Sequence, residues 1–346
     1  MTSWRLVDQR PLFDMLAEAR ICRGVLGVSD PDVFHADGRW QMLLGAFTTR
    51  LTVRIVLARL PVGAPVVEDG WAFVTDRRGH AVTIGSPPRR RSWDGGGMHT
   101  PNRVAGTVAG EPVERIYYAG QPAGRTGLGR NRYAIGALVR DAETWRRYDH
   151  PVLEGDARRP SAFEPYVLCT DGRWRMWYLS APGEVEPGER PDYELRYTES
   201  DDGLRWEPAE TFSSTAEGYF DNTVVRTPAG WRMVLARGTN LHGTEPYPAQ
   251  GLWLTEAGDL PGGRAAWGGI DRLLDTDASP TPWYAAGLCG PAVVLDGEDT
   301  MHVFATGTYA RTSWWRTSLS RLRRGRRPPP PSPFYLATGR LTFTRA

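Results

Sequence analysis

The sequence predicts an all-β chain, and three observations carry that reading. Five short segments superimpose, at 29–34, 99–104, 163–168, 220–225 and 289–294. Their second positions are Asp30, Thr100, Glu164, Asp221 and Gly290, at intervals of 70, 64, 57 and 69 residues. Each segment leads into a turn and then an apolar-aromatic run. In several repeats a further polar turn ends in Trp. A repeat of this length is a whole supersecondary unit. About four antiparallel strands in each of five units make a five-bladed β-propeller. We read it as a single domain over 1–346, with blades starting near residues 28, 99, 163, 220 and 289.

Within each repeat the elements follow in order. The segment itself is the first strand. Asp37-Gly38 and Asp171-Gly172 then separate two apolar runs, and Asp-Gly is a strong hairpin signal because Gly accepts positive φ. Ala229-Gly230 and Asp296-Gly297 mark the same turn in repeats four and five. The second strands read Trp40-Gln41-Met42-Leu43-Leu44, Trp174-Arg175-Met176-Trp177-Tyr178, Trp231-Arg232-Met233-Val234-Leu235 and Met301-His302-Val303-Phe304. Repeat two keeps Ile116-Tyr117-Tyr118. A third strand, Tyr193 to Glu199, enters the turn Ser200-Asp201-Asp202-Gly203-Leu204-Arg205-Trp206, whose Trp is expected to pack under the neighbouring strand. Gly339 to Thr344 and Ser3 to Val7 are edge candidates, and one of these terminal strands is expected to close the ring. Residues 11–20 are expected to form a short helix. Arg321 to Arg327 with Pro328 to Pro331 reads as a basic, solvated connection.

Composition limits the function classes. The 42 basic and 40 acidic residues nearly balance, which excludes bulk electrostatic binding to nucleic acid. Cys22, Cys169 and Cys289 are far apart and odd in number, as expected of reduced thiols. The first residues lack the apolar run of a signal peptide, and no segment is long enough to span a membrane. A cytoplasmic protein with no membrane or nucleic-acid partner is the expectation.

Ser29-Asp30-Pro31-Asp32, Phe163-Glu164-Pro165 and the Ser200–Trp206 turn resemble the five-bladed propeller glycoside hydrolases of families 32, 43, 62 and 68 and the related phosphorylases of family 130. The pattern covers the chain from about Gly27 onward. The resemblance implies Asp30 as base or nucleophile and Glu164 as general acid. It departs at Thr100, which stands where family 32 relatives carry the carboxylate of an Arg-Asp-Pro segment. Asp221 or His99 is the candidate for that third place.

The residues point the same way. Two carboxyls across a pocket divide acid and base roles when their surroundings push their pKa values apart. Glycoside cleavage needs one to protonate the leaving oxygen and one to attack the anomeric carbon or activate water. Glu164 lies in an apolar run, where an unpaired acid is costly. Loops expected at the mouth add candidate substrate ligands: His99, Asn102, Arg90, Arg130, Arg132, His242, Arg311 and the stacking surface of Trp93. Trp283, Trp314 and Trp315 are further stacking candidates. No spacing resembles a tight zinc site and no cofactor is expected, with an axial cation left open. His302 reads as a packed core residue.

Three functions fit these features. The first is a carbohydrate-active enzyme, hydrolase or transferase, using the carboxylate pair. The second is a non-hydrolytic tailoring enzyme of secondary metabolism, cyclising or eliminating a small anionic metabolite with loss of a sulfate- or phosphate-like group. The third is a ligand-binding propeller without catalysis.

Overall fold

The structure is a computed structural model and describes residues 4–17, 22–123, 132–182, 192–238, 248–278, 281–329, 331–332 and 334–345. It is mostly β, and its strands run in antiparallel sheets. β1 is Trp4–Asp14. β2 (Val25–Ala36), β3 (Arg39–Thr48), β4 (Val53–Arg59) and the short β5 (Ala72–Phe73) follow in chain order. The second group is β6 (Gly97–Val108), β7 (Glu111–Gln121), β8 (Ala134–Asp141) and β9 (Thr144–Arg147). The third is β10 (Ser161–Thr170), β11 (Arg173–Ala181), β12 (Glu194–Ser200) and β13 (Glu210–Ser213). The fourth is β14 (Tyr219–Thr227), β15 (Gly230–Arg237), β16 (Gly251–Ala257) and β17 (Asp271–Asp275). The last is β18 (Leu288–Asp296) and β19 (Thr300–Thr308), then helix α1 (Trp314–Arg323) and β20 (Leu336–Arg345).

Each group forms an antiparallel meander, and β4 touches β6 through a single parallel pair, Val53 with Gly97. The hairpin turns form as their sequence predicts. Asp37-Gly38, Asp171-Gly172 and, in repeat two, Ala109-Gly110 all sit at positive φ, the geometry of the tight turn that matches strand twist. The second strands are the most buried because a sheet packs on each face. Trp174, Met176, Trp177 and Leu179 of β11 are all fully buried. The Ser200–Trp206 turn behaves as expected: the Trp206 ring lies 6.1 Å from Tyr117 of the preceding sheet. The Tyr117 hydroxyl donates to the carbonyl of Gly203.

The five first strands touch in cyclic order: β2 with β6, β6 with β10, β10 with β14, β14 with β18, and β18 with β2. Hydrogen bonds cross the first four of these contacts, and β2 also bonds β19 and β20 beside β18. Asp32 accepts from the Arg103 amide at 2.8 Å, Asn102 from the Val167 amide at 2.7 Å, and Asp221 from the Gly290 amide at 2.7 Å. The Tyr166 hydroxyl donates to the carbonyl of Val224. The Asp30 amide donates to Thr306 at 2.8 Å, and Thr338 donates to the Val28 carbonyl at 3.2 Å.

Two expectations are corrected. Of residues 11–20, expected to be helical, 15–17 form a turn, 18–20 lie outside the described residues, and 11–14 are strand. Residues 11–14 continue β1, which pairs with β20 from Trp4↔Arg345 to Asp14↔Ala337. Both termini therefore share one sheet, of order β1-β20-β19-β18. The alternation of β1 was legible, but its length was not, because Pro11 sits at a register shift where no ladder amide is needed. The basic connection near Arg321 is also not irregular throughout, since α1 occupies its first part. His302 is buried and bonds Thr342 in the core. The three cysteines are unbridged, and no described helix is long and apolar enough to cross a membrane.

Candidate active site

The five superimposable segments meet at one place. A cavity of about 50 Å³ is lined by Asp30, Pro31, Asp32, Thr100, Pro101, Asn102, Glu164, Pro165, Tyr166, Asp221, Asn222, Thr223, Gly290, Pro291 and Ala292. Every repeat contributes its equivalent residues.

A recurring irregularity aims these side chains inward. The ladders skip at Ser29/Asp32, His99/Asn102, Phe163/Tyr166 and Cys289/Ala292, so two residues oppose one at each site. Pro is the second bulged residue each time, and a bulge is where a strand tolerates a missing N–H. The first bulged residues are left-handed: Asp30 φ 54°, Thr100 φ 50°, Glu164 φ 51° and Gly290 φ 57°. Only Gly adopts that region freely. A non-Gly residue held there, before Pro, costs on the order of 1–3 kcal/mol. Bulges re-aim side chains, and here the strain turns Asp30 and Glu164 toward the centre. In repeat four the shift falls one residue earlier, between Tyr219 and Asp221, and Asp221 is unstrained.

Gly290 has a second reason to lack a side chain. A Cβ there would lie 3.0 Å from Asp30 Oδ1 and 3.1 Å from Asp30 Cα. The empty position in repeat five makes room for the carboxylate of repeat one.

The carboxyls differ in their support. Asp221 accepts the Gly290 amide and is buried. Glu164 is hydrogen-bonded to Asp221. Two bonded carboxyls must share a proton. Asp221 has an amide to stabilise its anion, so the proton belongs on Glu164. Burial, then the charges of Asp221 and Asp30, push Glu164 well above the usual carboxylate range. Burial also raises Asp221, against the lowering effect of the Gly290 amide. Asp30 retains a little exposure at the cavity mouth, but it lies deep among protein atoms. Burial lifts it to about 6, and the Ser29 hydroxyl, donating at 2.7 Å, opposes the shift. Asp32 is lifted by burial to about 6, against bonds from the Arg103 amide and Asn102.

Beside the carboxyls stands an aromatic wall that the sequence reading missed. Phe163 and Phe220 precede Glu164 and Asp221, with ring centroids 6.0 Å apart. Tyr193 lies 5.7 Å from Phe163 and 4.9 Å from Phe220, and Tyr133 lies 5.2 Å from Phe163. His99 meets Tyr133 edge-on at 5.3 Å, and burial lowers its pKa to about 4. Burial, then the charge of Glu164, raises both phenols, Tyr193 to about 12. The signal for Phe163 and Phe220 was visible as Phe-Glu-Pro and Phe-Asp-Asn. Tyr133 and Tyr193 come from second-to-third-strand loops, whose placement only the fold reveals. Asp32 was hidden by its nearness to Asp30.

The remaining candidates are placed as follows. Asn102 lines the cavity and its oxygen is engaged by the Val167 amide. Arg90, Arg132 and Arg311 are exposed and none lines the cavity. Trp93 is corrected from a stacking surface to a packed residue. Its ring stacks on Tyr118 at 5.9 Å, fills the space left by Gly120 and Gly136, and donates to the Asp149 carbonyl at 3.3 Å. Trp283 is likewise buried, against Gly307 and Gly339. Arg130 and His242 lie outside the described residues. No cluster of three or more His, Cys, Asp or Glu suited to a metal occurs among the described residues.

No family model matches the chain. An uncharacterised protein of Mycobacterium tuberculosis, from strains CDC 1551 and H37Rv, is 26% identical over 223 residues, 61% of this chain and 69% of that protein. Among solved structures, a thermostable family-43 glycoside hydrolase matches at TM-score 0.55 and 13% identity, covering 92% of this chain and 94% of its own. The catalytic domain of the Coprinopsis cinerea GH62 alpha-L-arabinofuranosidase matches at TM-score 0.54 and 12% identity, covering 99% and 97%. An alpha-L-arabinofuranosidase from Lactobacillus brevis matches at TM-score 0.56 and 10% identity, covering 95% and 92%. At these identities the likeness is one of fold: the chain is built like five-bladed β-propeller glycoside hydrolases.

Proposed function

We propose that this chain is a carbohydrate-active enzyme of the glycoside hydrolase type, a single closed five-bladed propeller over 1–346. Cyclic contact among the five first strands supports closure, and the pairing of β1 with β20 supports a ring sealed by both termini. The observation that carries the functional reading is three carboxyl groups around one cavity, those of Asp30, Glu164 and Asp221, with Glu164 hydrogen-bonded to Asp221.

In this reading Glu164 gives its proton to the leaving glycosidic oxygen as the bond to the anomeric carbon breaks. Asp30, ionised, either bonds that carbon or takes a proton from the attacking water. Asp221 keeps Glu164 protonated until transfer. The cavity holds a water or two, each needing about 30 Å³, so a sugar ring sits over it rather than inside it. There the wall of Phe163, Phe220, Tyr133 and Tyr193 offers apolar faces with hydroxyl tips.

The cavity wall carries four carboxyls and no arginine among the described residues. That favours a neutral polyol over an anionic metabolite, and so the sugar reading over loss of sulfate or phosphate. Turnover of a panel of aryl furanosides and pyranosides is the test, with phosphorylated and sulfated small metabolites alongside. We expect release of the aryl alcohol by wild type, reduced about 10²–10⁴-fold in Asp30→Asn and in Glu164→Gln. Turnover of anionic non-sugars alone would sink the proposal.

A further inference from the structure

We propose that helix α1 and the arginines around it dock the protein on an anionic phospholipid surface. Three observations converge on this helix. The first is charge. Residues 311–327 contain seven arginines and no acidic residue, in a chain of net charge +2. The second is a depression of about 550 Å³ beside α1, lined by Arg311, Arg316, Arg321, Arg324 and Arg326 together with hydroxyls such as Ser313 and Thr317. No carboxylate among the described residues lines it, and Arg311, Arg316, Arg324 and Arg326 form no ion pair with a described residue.

The third is an exposed apolar stripe. Trp315, Leu319 and Leu322 recur at helical spacing and are 70%, 53% and 56% exposed. Large apolar side chains in a row on a basic helix suit the boundary between headgroups and acyl chains. Unpaired arginines suit phosphodiester oxygens, which they hold through paired N–H groups. Neither feature alone selects a membrane. A soluble phosphate ligand would use the depression and leave the stripe in water. On α1 the stripe lies on the face opposite Ser313, Thr317 and Arg321 of the depression, the division of an interfacial helix: the apolar face enters the acyl boundary, and arginines at its flanks such as Arg316 reach the headgroup phosphates.

The helix is firmly attached. Arg321 donates to the carbonyls of Leu16 and Ala17, and the Trp314 indole donates to Pro329 at 3.0 Å. Its position also matters. The α1 connection runs between Thr308 and Leu336, which pair at the end of the sheet where β18 begins. The loops that carry Tyr133 and Tyr193 leave their sheets at the equivalent end, beside His99 and Ser161. Docking through α1 therefore turns the end carrying the aromatic wall toward the bilayer. Only this consequence rests on the proposed function, for it would present the site to glycans held at a membrane.

Vesicle co-sedimentation tests the docking without any substrate, so its outcome is separate from that of the glycoside panel. The probes are vesicles of phosphatidylcholine alone and of phosphatidylcholine with phosphatidylglycerol. Wild type is expected to sediment only with the second kind and to be released by salt. The double variants Arg316→Glu/Arg324→Glu and Trp315→Ser/Leu319→Ser are each expected to weaken binding by at least about tenfold. All four positions are exposed, and a wild-type circular dichroism spectrum and melt show that each variant is folded. No binding of wild type to phosphatidylglycerol vesicles overturns the proposal. So does binding indifferent to Trp315 and Leu319, or abolished equally by soluble glycerol phosphate, which would indicate a pocket for free phosphate. An acidic protein partner in place of lipid would appear as absence of vesicle binding.

Discussion

At the residue scale, the account rests on which carboxyl holds a proton. In the proposed mechanism Asp30 acts ionised, so activity is expected to fall as pH drops through about 6. Glu164 must be protonated, so activity falls again as pH rises through its elevated pKa. The expected profile of kcat/KM is a bell displaced upward from that of ordinary carboxyls. The same shifts set the sign of stability. A carboxyl whose folded pKa is raised stabilises the folded state below its unfolded pKa, and that contribution disappears as pH rises through the folded value. Asp221→Asn should therefore stabilise the protein on the alkaline side, by about 1–3 kcal/mol, and help least in acid. Thermal melts across pH check this, and equal shifts at all pH values would refute it.

At the element scale, the bulges connect strain to chemistry. Thr100 is β-branched and held at φ 50° with no carboxylate to aim. Thr100→Gly should relieve that strain and stabilise the fold by about 1 kcal/mol in denaturant titrations. Gly290→Ala should do the reverse, because it places a Cβ against Asp30 at a left-handed position. We expect a loss of about 1–3 kcal/mol together with a fall in activity greater than the stability change explains. Asn102→Ala leaves the Val167 amide without its partner and should cost about 1–3 kcal/mol.

Much of this scale was readable in advance. The Asp-Gly hairpins and the five first strands follow from local turn chemistry, and the repeat alone marks Asp30 and Glu164 as equivalent positions, which line one cavity. What was not readable depends on neighbours in space. Trp93 reads as a loop aromatic until Gly120 and Gly136 show the gap it fills. Tyr193 reaches Glu164 through the loop between β11 and β12 of the same sheet, and Tyr133 through a loop of the preceding sheet, placements that no local sequence signal carries. The α1 helix was hidden because an arginine-rich, proline-flanked stretch carries the composition of a solvated loop.

At the scale of the whole molecule, the termini join in one sheet. Arg340 of β20 bonds Asp8 of β1 at 3.0 Å, and Arg10 bonds Asp69 at 2.7 Å. Removing residues 4–14 would leave β20 as an open edge beside an unsealed unit. Such edges invite pairing with other chains. We expect a lower melting temperature and aggregation on size-exclusion chromatography, with an intact monomer counting against closure by β1.

The fold brings Asp30, Glu164 and Asp221 from three repeats to one cavity. Whether Glu164 is the resident acid is best measured directly, by ¹³C NMR titration of glutamate-labelled protein, with Glu164→Gln to assign the resonance. The account predicts one glutamate that titrates well above the other carboxylates and that titrates lower in Asp221→Asn. A Glu164 that titrates with the ordinary carboxylates, in wild type and variant alike, would contradict it.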